Sequence, residues 1–167
     1  MTRELGLPFD PIARAGVLWE HTWGPAATMR AATSVFRVQQ ILLARYDEVL
    51  RPHELTFARY EALVLLRFSR RGELPMKVIG NRLMVHPTSV TNTVARLVAS
   101  GFVARRANPQ DGRGVLAGLT DLGRAVLEAA TAELQAIDFA LRDVPTEDLD
   151  RMVEVLGGIR KRAGDFH

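Results

Sequence analysis

HPTSVTNTVARLVASGFVARRANPQDGRGVLAGLT, residues 86–120, decides how this chain is read. It parses as a helix, a tight turn at Gly101, a strand, a polar loop and a returning strand. Val90, Val94, Leu97 and Val98 follow the i, i+4, i+7, i+8 spacing of one buried helical stripe. The opposite face carries Thr88, Ser89, Asn92 and Arg96, with Ala95 and Ala99 as small spacers. No carboxylate lies on that face, so it can approach base edges closely without repelling phosphate. The loop from Ala107 to Gly114 puts Arg113 at a hairpin tip. A helix followed by such a hairpin predicts a winged helix-turn-helix, mainly α with a small β-wing.

Composition sets the bounds. At 167 residues, 47% hydrophobic and 25% charged, the chain is long and apolar enough to bury a core of its own. It has no Cys, which excludes disulfides, thiolate metal sites and thiol-based sensing. Absence of Cys suits a reducing cytoplasm, so a cytoplasmic location is expected. No apolar run approaches the ~18 residues of a membrane span, so no membrane partner is expected. MTRELGLPFDPIARAG at the start carries Glu4 and Asp10 and no apolar core, so no signal peptide is expected.

The net charge of +3 becomes informative when divided along the chain. Residues 1–69 hold 8 basic and 7 acidic side chains, and residues 114–167 hold 6 basic and 10 acidic. Residues 70–113 hold 8 basic side chains, among them Lys77, Arg96, Arg105, Arg106 and Arg113, against Glu73 and Asp111. The positive excess therefore sits around the candidate helix, the footprint expected for phosphate binding. Lys77, Arg106 and His86, just ahead of the helix, join the DNA-binding candidates.

Residues 8–23 read as a short helix broken at Gly24-Pro25. Trp19 and Trp23 share one of its faces. Packing against the body or a second subunit accounts for them, and a ligand wall is the alternative. From Ala26 to Leu50 the apolar residues cover more than one helical face, which predicts burial on two sides and a subunit contact. Thr56 offers an N-cap for a helix to about Arg70, closed by Gly72. Leu74 is a single extended residue or a very short strand, and Pro75 suits the first position of a helix over Met76–Leu83. Met84-Val85 is the turn of a helix-turn-helix whose second helix runs from Pro87 to Ser100. Residues 102–106 and 115–119 are the wing strands. Thr120 caps a helix from Asp121 to Arg142, and a last helix after Thr146 is expected to bury Leu149, Met152, Val153, Leu156 and Ile159. Three parts result: N-terminal helices at 1–50, for dimerisation and a ligand cleft, a DNA-binding lobe at 51–120, and C-terminal dimerisation helices at 121–167.

PQDGRGVLAGLTDLGRAV, residues 109–126, resembles the wing-to-helix signature D-x-R-x…L-T-x-x-G of the MarR (multiple antibiotic resistance regulator) family. LTFARYEALVLL precedes it at 55–66, and SVTNTVARLVASGFVARR leads into it at 89–106. The resemblance covers roughly residues 30–160. It implies a homodimer of winged helix-turn-helix subunits on palindromic promoter DNA, often weakened by small anionic or phenolic ligands. It places the recognition helix on Pro87–Ser100, the wing arginine on Arg113, and on Asp111 the carboxylate that orients an arginine. An extended Arg at a hairpin tip can enter a narrow, negatively charged minor groove. Asn92 could read adenine, and Arg96 guanine or phosphate.

The extra N-terminal helix resembles that of the urate-responsive subgroup, in which a Trp and an Asp/Arg/Arg set form the ligand site. Trp19 matches the Trp, with Trp23 the alternative, and Arg105 matches one Arg. Glu61 stands at the Asp position and Thr93 at the other Arg position, which removes half the charge that would hold an anion. A small anionic or aromatic ligand other than urate, or none, stays open. The ligand candidates are Trp19, Trp23, Arg59, Glu61 and Arg105, with an interlobe ion pair and aromatic packing as the alternative.

The four His show no metal-ligand spacing, and no nucleophile motif is present, so neither metal, cofactor nor enzymatic activity is expected. The expected function is a homodimeric, sequence-specific DNA-binding regulator, a repressor released by a small molecule. The alternative is a winged interaction module that binds protein or ligand without DNA.

Overall fold

The computed structural model describes residues 6–109, 111 and 114–167. Helix α5 (Pro87–Ala99) opens with Pro at its first position, where the missing N–H costs nothing. His86 caps it: its Nδ1 accepts the Thr88 N–H at 3.3 Å. Val90, Val94 and Leu97 are buried, while Val98 stays at the edge of the stripe. Helix α4 (Met76–Leu83) lies against α5, with Gly80 facing Val90 so closely that a Cβ there would stand 3.1 Å from the valine methyl. Met84, at φ 53°, makes the left-handed turn between them.

Strands β1 (Glu73–Pro75), β2 (Val103–Ala107) and β3 (Val115–Leu119) form an antiparallel sheet in the order β1-β3-β2. Leu74 and Arg105 both pair with Ala117, from opposite sides of β3. The short strand expected at Leu74 thus exists and anchors the wing on its far edge. Pro75 ends that strand and takes the cap position of α4 rather than its first turn.

Around this lobe lie α1 (Pro11–Trp23), α2 (Ala27–Leu50), α3 (Phe57–Arg67), α6 (Asp121–Ala136) and α7 (Thr146–Arg162). The core is continuous across α2 to α6, with Leu50, Leu63, Leu66, Ile79, Val94, Leu97 and Leu134 almost fully enclosed. At the wing-to-α6 junction, Thr120 donates its hydroxyl to the Gly101 carbonyl at 2.8 Å and accepts the Gly123 N–H at 2.9 Å. Its own N–H donates to the Phe102 carbonyl at 3.1 Å. The Thr and Gly of the L-T-x-x-G signature therefore tie α6 to the end of α5.

Several boundaries differ from the sequence reading. Thr56 precedes α3 as expected but makes no side-chain cap bond; Asp47 Oδ1 accepts the Phe57 N–H at 2.7 Å instead. A carboxylate on the neighbouring helix makes the stronger acceptor. Helix α6 ends at Ala136 rather than Arg142, because Asp138, Phe139 and Ala140 turn left-handed. Tyr46 donates to the Phe139 carbonyl at 2.7 Å, and Arg142 folds back onto the Ala136 carbonyl and the Asp138 carboxylate. None of the expected apolar residues of α7 is buried within the chain, because that face meets little of its own subunit. On α2 the two-sided burial is likewise incomplete: Tyr46 and Leu50 are enclosed, but Val35, Phe36, Val38 and Ile41 are exposed.

Candidate nucleic-acid interface

The polar face of α5 forms as its spacing requires. Thr88, Ser89, Asn92 and Arg96 are all exposed, and the buried stripe holds them rigidly outward. Since Nδ1 of His86 accepts the Thr88 N–H, the proton of its neutral ring sits on Nε2. That leaves a donor at the helix N-terminus, where the backbone dipole also favours an anion. Lys77 is exposed on α4.

Arg106 is less free than its sequence suggests. It makes a two-pronged pair with Glu73 across the sheet, Nε to Oε2 at 2.8 Å and Nη2 to Oε1. The guanidinium hydrogen bond holds the Glu73 carboxyl below the usual glutamate range. The pair therefore contributes to the native state above that range and is lost as pH falls through the depressed value. Nothing in the sequence marked this partner, 33 residues away and brought close by β1-β3-β2 pairing.

At the wing, Asn108 N–H donates to the Gly114 carbonyl at 2.9 Å and Gly114 N–H to the Asp111 carbonyl at 2.8 Å. Asp111 is exposed, and a Cβ at Gly114 would stand 2.9 Å from its Oδ2. Arg113 lies outside the described residues. The described geometry is the paired strands of a hairpin beside a helix with a carboxylate-free outer face.

The MarR family profile matches residues 53–114, which run from the turn before α3 into the wing. Sco5413 of Streptomyces coelicolor, a MarR family transcriptional regulator, is 58% identical, with 83% of this chain and 96% of that one covered and a TM-score of 0.79. The chain belongs to the MarR family. The HTH-type transcriptional repressor Rv2887 of Mycobacterium tuberculosis is 30% identical over 127 residues, 74% of this chain and 90% of that one. Sco3205, a MarR family regulator of S. coelicolor solved in complex with DNA, is 25% identical, with 83% and 89% covered and a TM-score of 0.75. As a MarR-family protein the chain is a transcriptional regulator on a winged helix-turn-helix, not an enzyme.

Trp19 and Trp23 meet edge to face at 4.7 Å on α1, which packs on α2. Arg59 donates to Thr56 Oγ1 at 3.3 Å, and Tyr60 shares a hydrogen bond with Thr131 at 3.1 Å. Arg105 donates to the Thr91 carbonyl at 3.2 Å, bracing β2 against α5. Glu61 lines two hollows: a groove of about 670 Å³ between α2, α3 and α7, and a cavity of about 90 Å³ behind α5 that includes Ser89 and Thr93. Neither hollow includes Trp19, Trp23, Arg59 or Arg105. Among the described residues, no cluster of His, Asp and Glu is arranged to hold a metal, and no helix is long and apolar enough to cross a membrane.

Partial burial raises the Glu61 carboxyl above the ordinary glutamate range. For an acid whose native value is raised, stability is full below the unfolded value and falls as pH rises through the native one. Glu61→Gln removes that loss. The variant should unfold at a higher temperature than wild type near neutral pH, with the gap closing at acid pH. Equal melting temperatures across the range would contradict the assignment.

Proposed function

We propose that this MarR-family regulator is a homodimer that places α5 of each subunit in successive major grooves of a palindromic operator, with Arg113 entering the flanking minor groove. The observation that carries the reading is the exposed, carboxylate-free face of Thr88, Ser89, Asn92 and Arg96 on a rigidly packed α5. Two such helices on one face of B-DNA need a separation of about 34–36 Å, which a dimer built from α1, α2 and α7 would set. Dimerisation is supported by the apolar faces those helices leave uncovered within one subunit.

The test is a gel shift on the operator selected from random duplex. Asn92→Ala or Arg96→Ala should weaken binding by roughly 1–3 kcal/mol and relax preference at one base pair. Arg113→Ala should weaken it without changing base preference. Variants that discriminate operator from scrambled duplex as wild type does would remove Asn92 and Arg96 from base reading.

Release by a small molecule belongs to the same proposal. Glu61 stands where an apolar groove and the cavity behind α5 adjoin, so a ligand there could shift the recognition helix. Helix α1 and Trp19 support a likeness to the urate-responsive subgroup. Thr93 and Glu61, in place of an Arg and an Asp, favour a different ligand. A thermal-shift screen of aromatic acids and purines should yield a ligand that raises the melting temperature and lowers operator affinity. Repression of a promoter, rather than activation, is the direction we infer.

A further inference from the structure

We propose that the cleft between α4 and the root of the wing is a phosphodiester site, seating a sugar–phosphate strand of the bound duplex beside the wing. This rests on the DNA-binding reading above and adds residues to it. A wing that enters a groove brings its root up to the strand bordering that groove, and phosphate contacts there position a protein without reading sequence.

The cleft has about 460 Å³ and connects three parts of the fold: the turn after α3 with Arg70 and Arg71, the end of α4 with Arg82, and the wing root at Asn108 and Pro109. Glu73 is the one carboxylate among its lining residues, and Arg106 neutralises it. Arg70, Arg71 and Arg82 are exposed, and none forms an ion pair with a described residue. Arg70 and Arg82, with Arg71 whose charge also acts on Glu73, thus bring three guanidinium groups, each a planar fork suited to phosphate, to one cleft.

A small anionic effector is the other chemistry such a cleft could hold. Sites for small molecules fix their ligand with a few polar groups set in an enclosed pocket. Here the arginines come from two parts of the fold, the turn after α3 and the end of α4, and stay exposed, and no polar or charged residue is buried among those described. That arrangement follows a polyanionic strand along its length. Leu74, Pro75 and Leu116 add an apolar floor that can lie against deoxyribose, and Phe68 stands 82% exposed at the rim.

The test compares salt dependence of binding to a random-sequence duplex, read by fluorescence anisotropy, for wild type, Arg70→Gln/Arg71→Gln, Arg82→Gln and Glu73→Gln. Each phosphate contact contributes about 0.9 to the slope of log affinity against log salt. The double variant should lose roughly 2 from that slope per bound subunit and Arg82→Gln roughly 1. Glu73→Gln should move it the other way, since it releases Arg106. All these residues are at or near the surface, and unchanged melting temperatures would separate loss of contact from loss of fold. A double variant and Arg82→Gln that both keep the wild-type slope would overturn the cleft assignment while leaving DNA binding by α5 intact. Pyrophosphate that stabilises wild type but not the double variant, with duplex slopes equal, would make the cleft a small-anion site and overturn the proposal too. A wild-type protein with no salt-dependent duplex affinity would instead refute the DNA reading on which it rests.

Discussion

Gly123→Ala should be the most destabilising single methyl in the chain. Gly123 lies in the first turn of α6, directly against the end of α5. A Cβ there would overlap the Phe102 carbonyl oxygen and stand 2.8 Å from the carbonyl carbon. The obstructing atoms are backbone, held in place because the same oxygen accepts the Thr120 N–H at 3.1 Å. No rotamer change relieves the clash, and moving α6 breaks the Thr120 bonds to Gly101 and Gly123. In most exposed helices Gly→Ala stabilises by about 1 kcal/mol. Here overpacking reverses the sign, and a loss of about 3 kcal/mol is expected. At this size that lowers the melting temperature by roughly 6–12 °C. Calorimetry on the purified variant reads it directly, and a melting temperature at or above wild type would show that the junction is looser than its geometry.

Val153→Asp should have the largest effect on assembly. In the isolated subunit Val153 is 66% exposed near the middle of α7, and a charge there would be nearly neutral. If a second copy covers α7, the same aspartate becomes an unpaired charge in an apolar interface. The cost is then about 3 kcal/mol or more, which weakens subunit association by roughly 100-fold. Size-exclusion with light scattering should show wild-type dimers and variant monomers at micromolar concentration. Operator affinity should fall with assembly, because one subunit reaches one half-site. A variant that stays dimeric with unchanged operator affinity would remove α7 from the contact.

The lobe from α3 to the wing was legible in the sequence because local signals agree there. Pro87 opens α5, Gly101 closes it at φ +74°, and the apolar stripe fixes which face turns outward. Where the structure departs from the reading, a partner distant in sequence has intervened. Residues 137–142, Ile-Asp-Phe-Ala-Leu-Arg, carry no breaker. Helix α6 nevertheless stops short, at the segment whose Phe139 carbonyl is held by Tyr46 from α2. Asp47 likewise takes over the capping bond that Thr56 was expected to make.

The candidate site divides in the same way. Thr88, Ser89, Asn92 and Arg96 could be chosen from helical spacing alone, since their exposure follows from what α5 buries on its other side. Arg106 was expected on DNA and Arg105 at a ligand, but the partner each one has was not legible. Alternation along β2 puts them on opposite faces, and the partners there, the Thr91 carbonyl and Glu73, come from other elements. The ligand candidates were the least legible, because neither hollow lined by Glu61 includes Trp19, Trp23, Arg59 or Arg105.

Three consecutive left-handed residues without a glycine, Asp138 to Ala140, are uncommon, at roughly 1–2 kcal/mol each. They lie at the elbow between α6 and α7, and Tyr46 clasps that elbow to α2. The bend fixes the direction in which α7 leaves the body. In a dimer joined through α7, that direction governs how far apart the two copies of α5 stand. The elbow then works as a ruler. In such a dimer the Tyr46 hydroxyl on α2 would help set how many base pairs separate the half-sites.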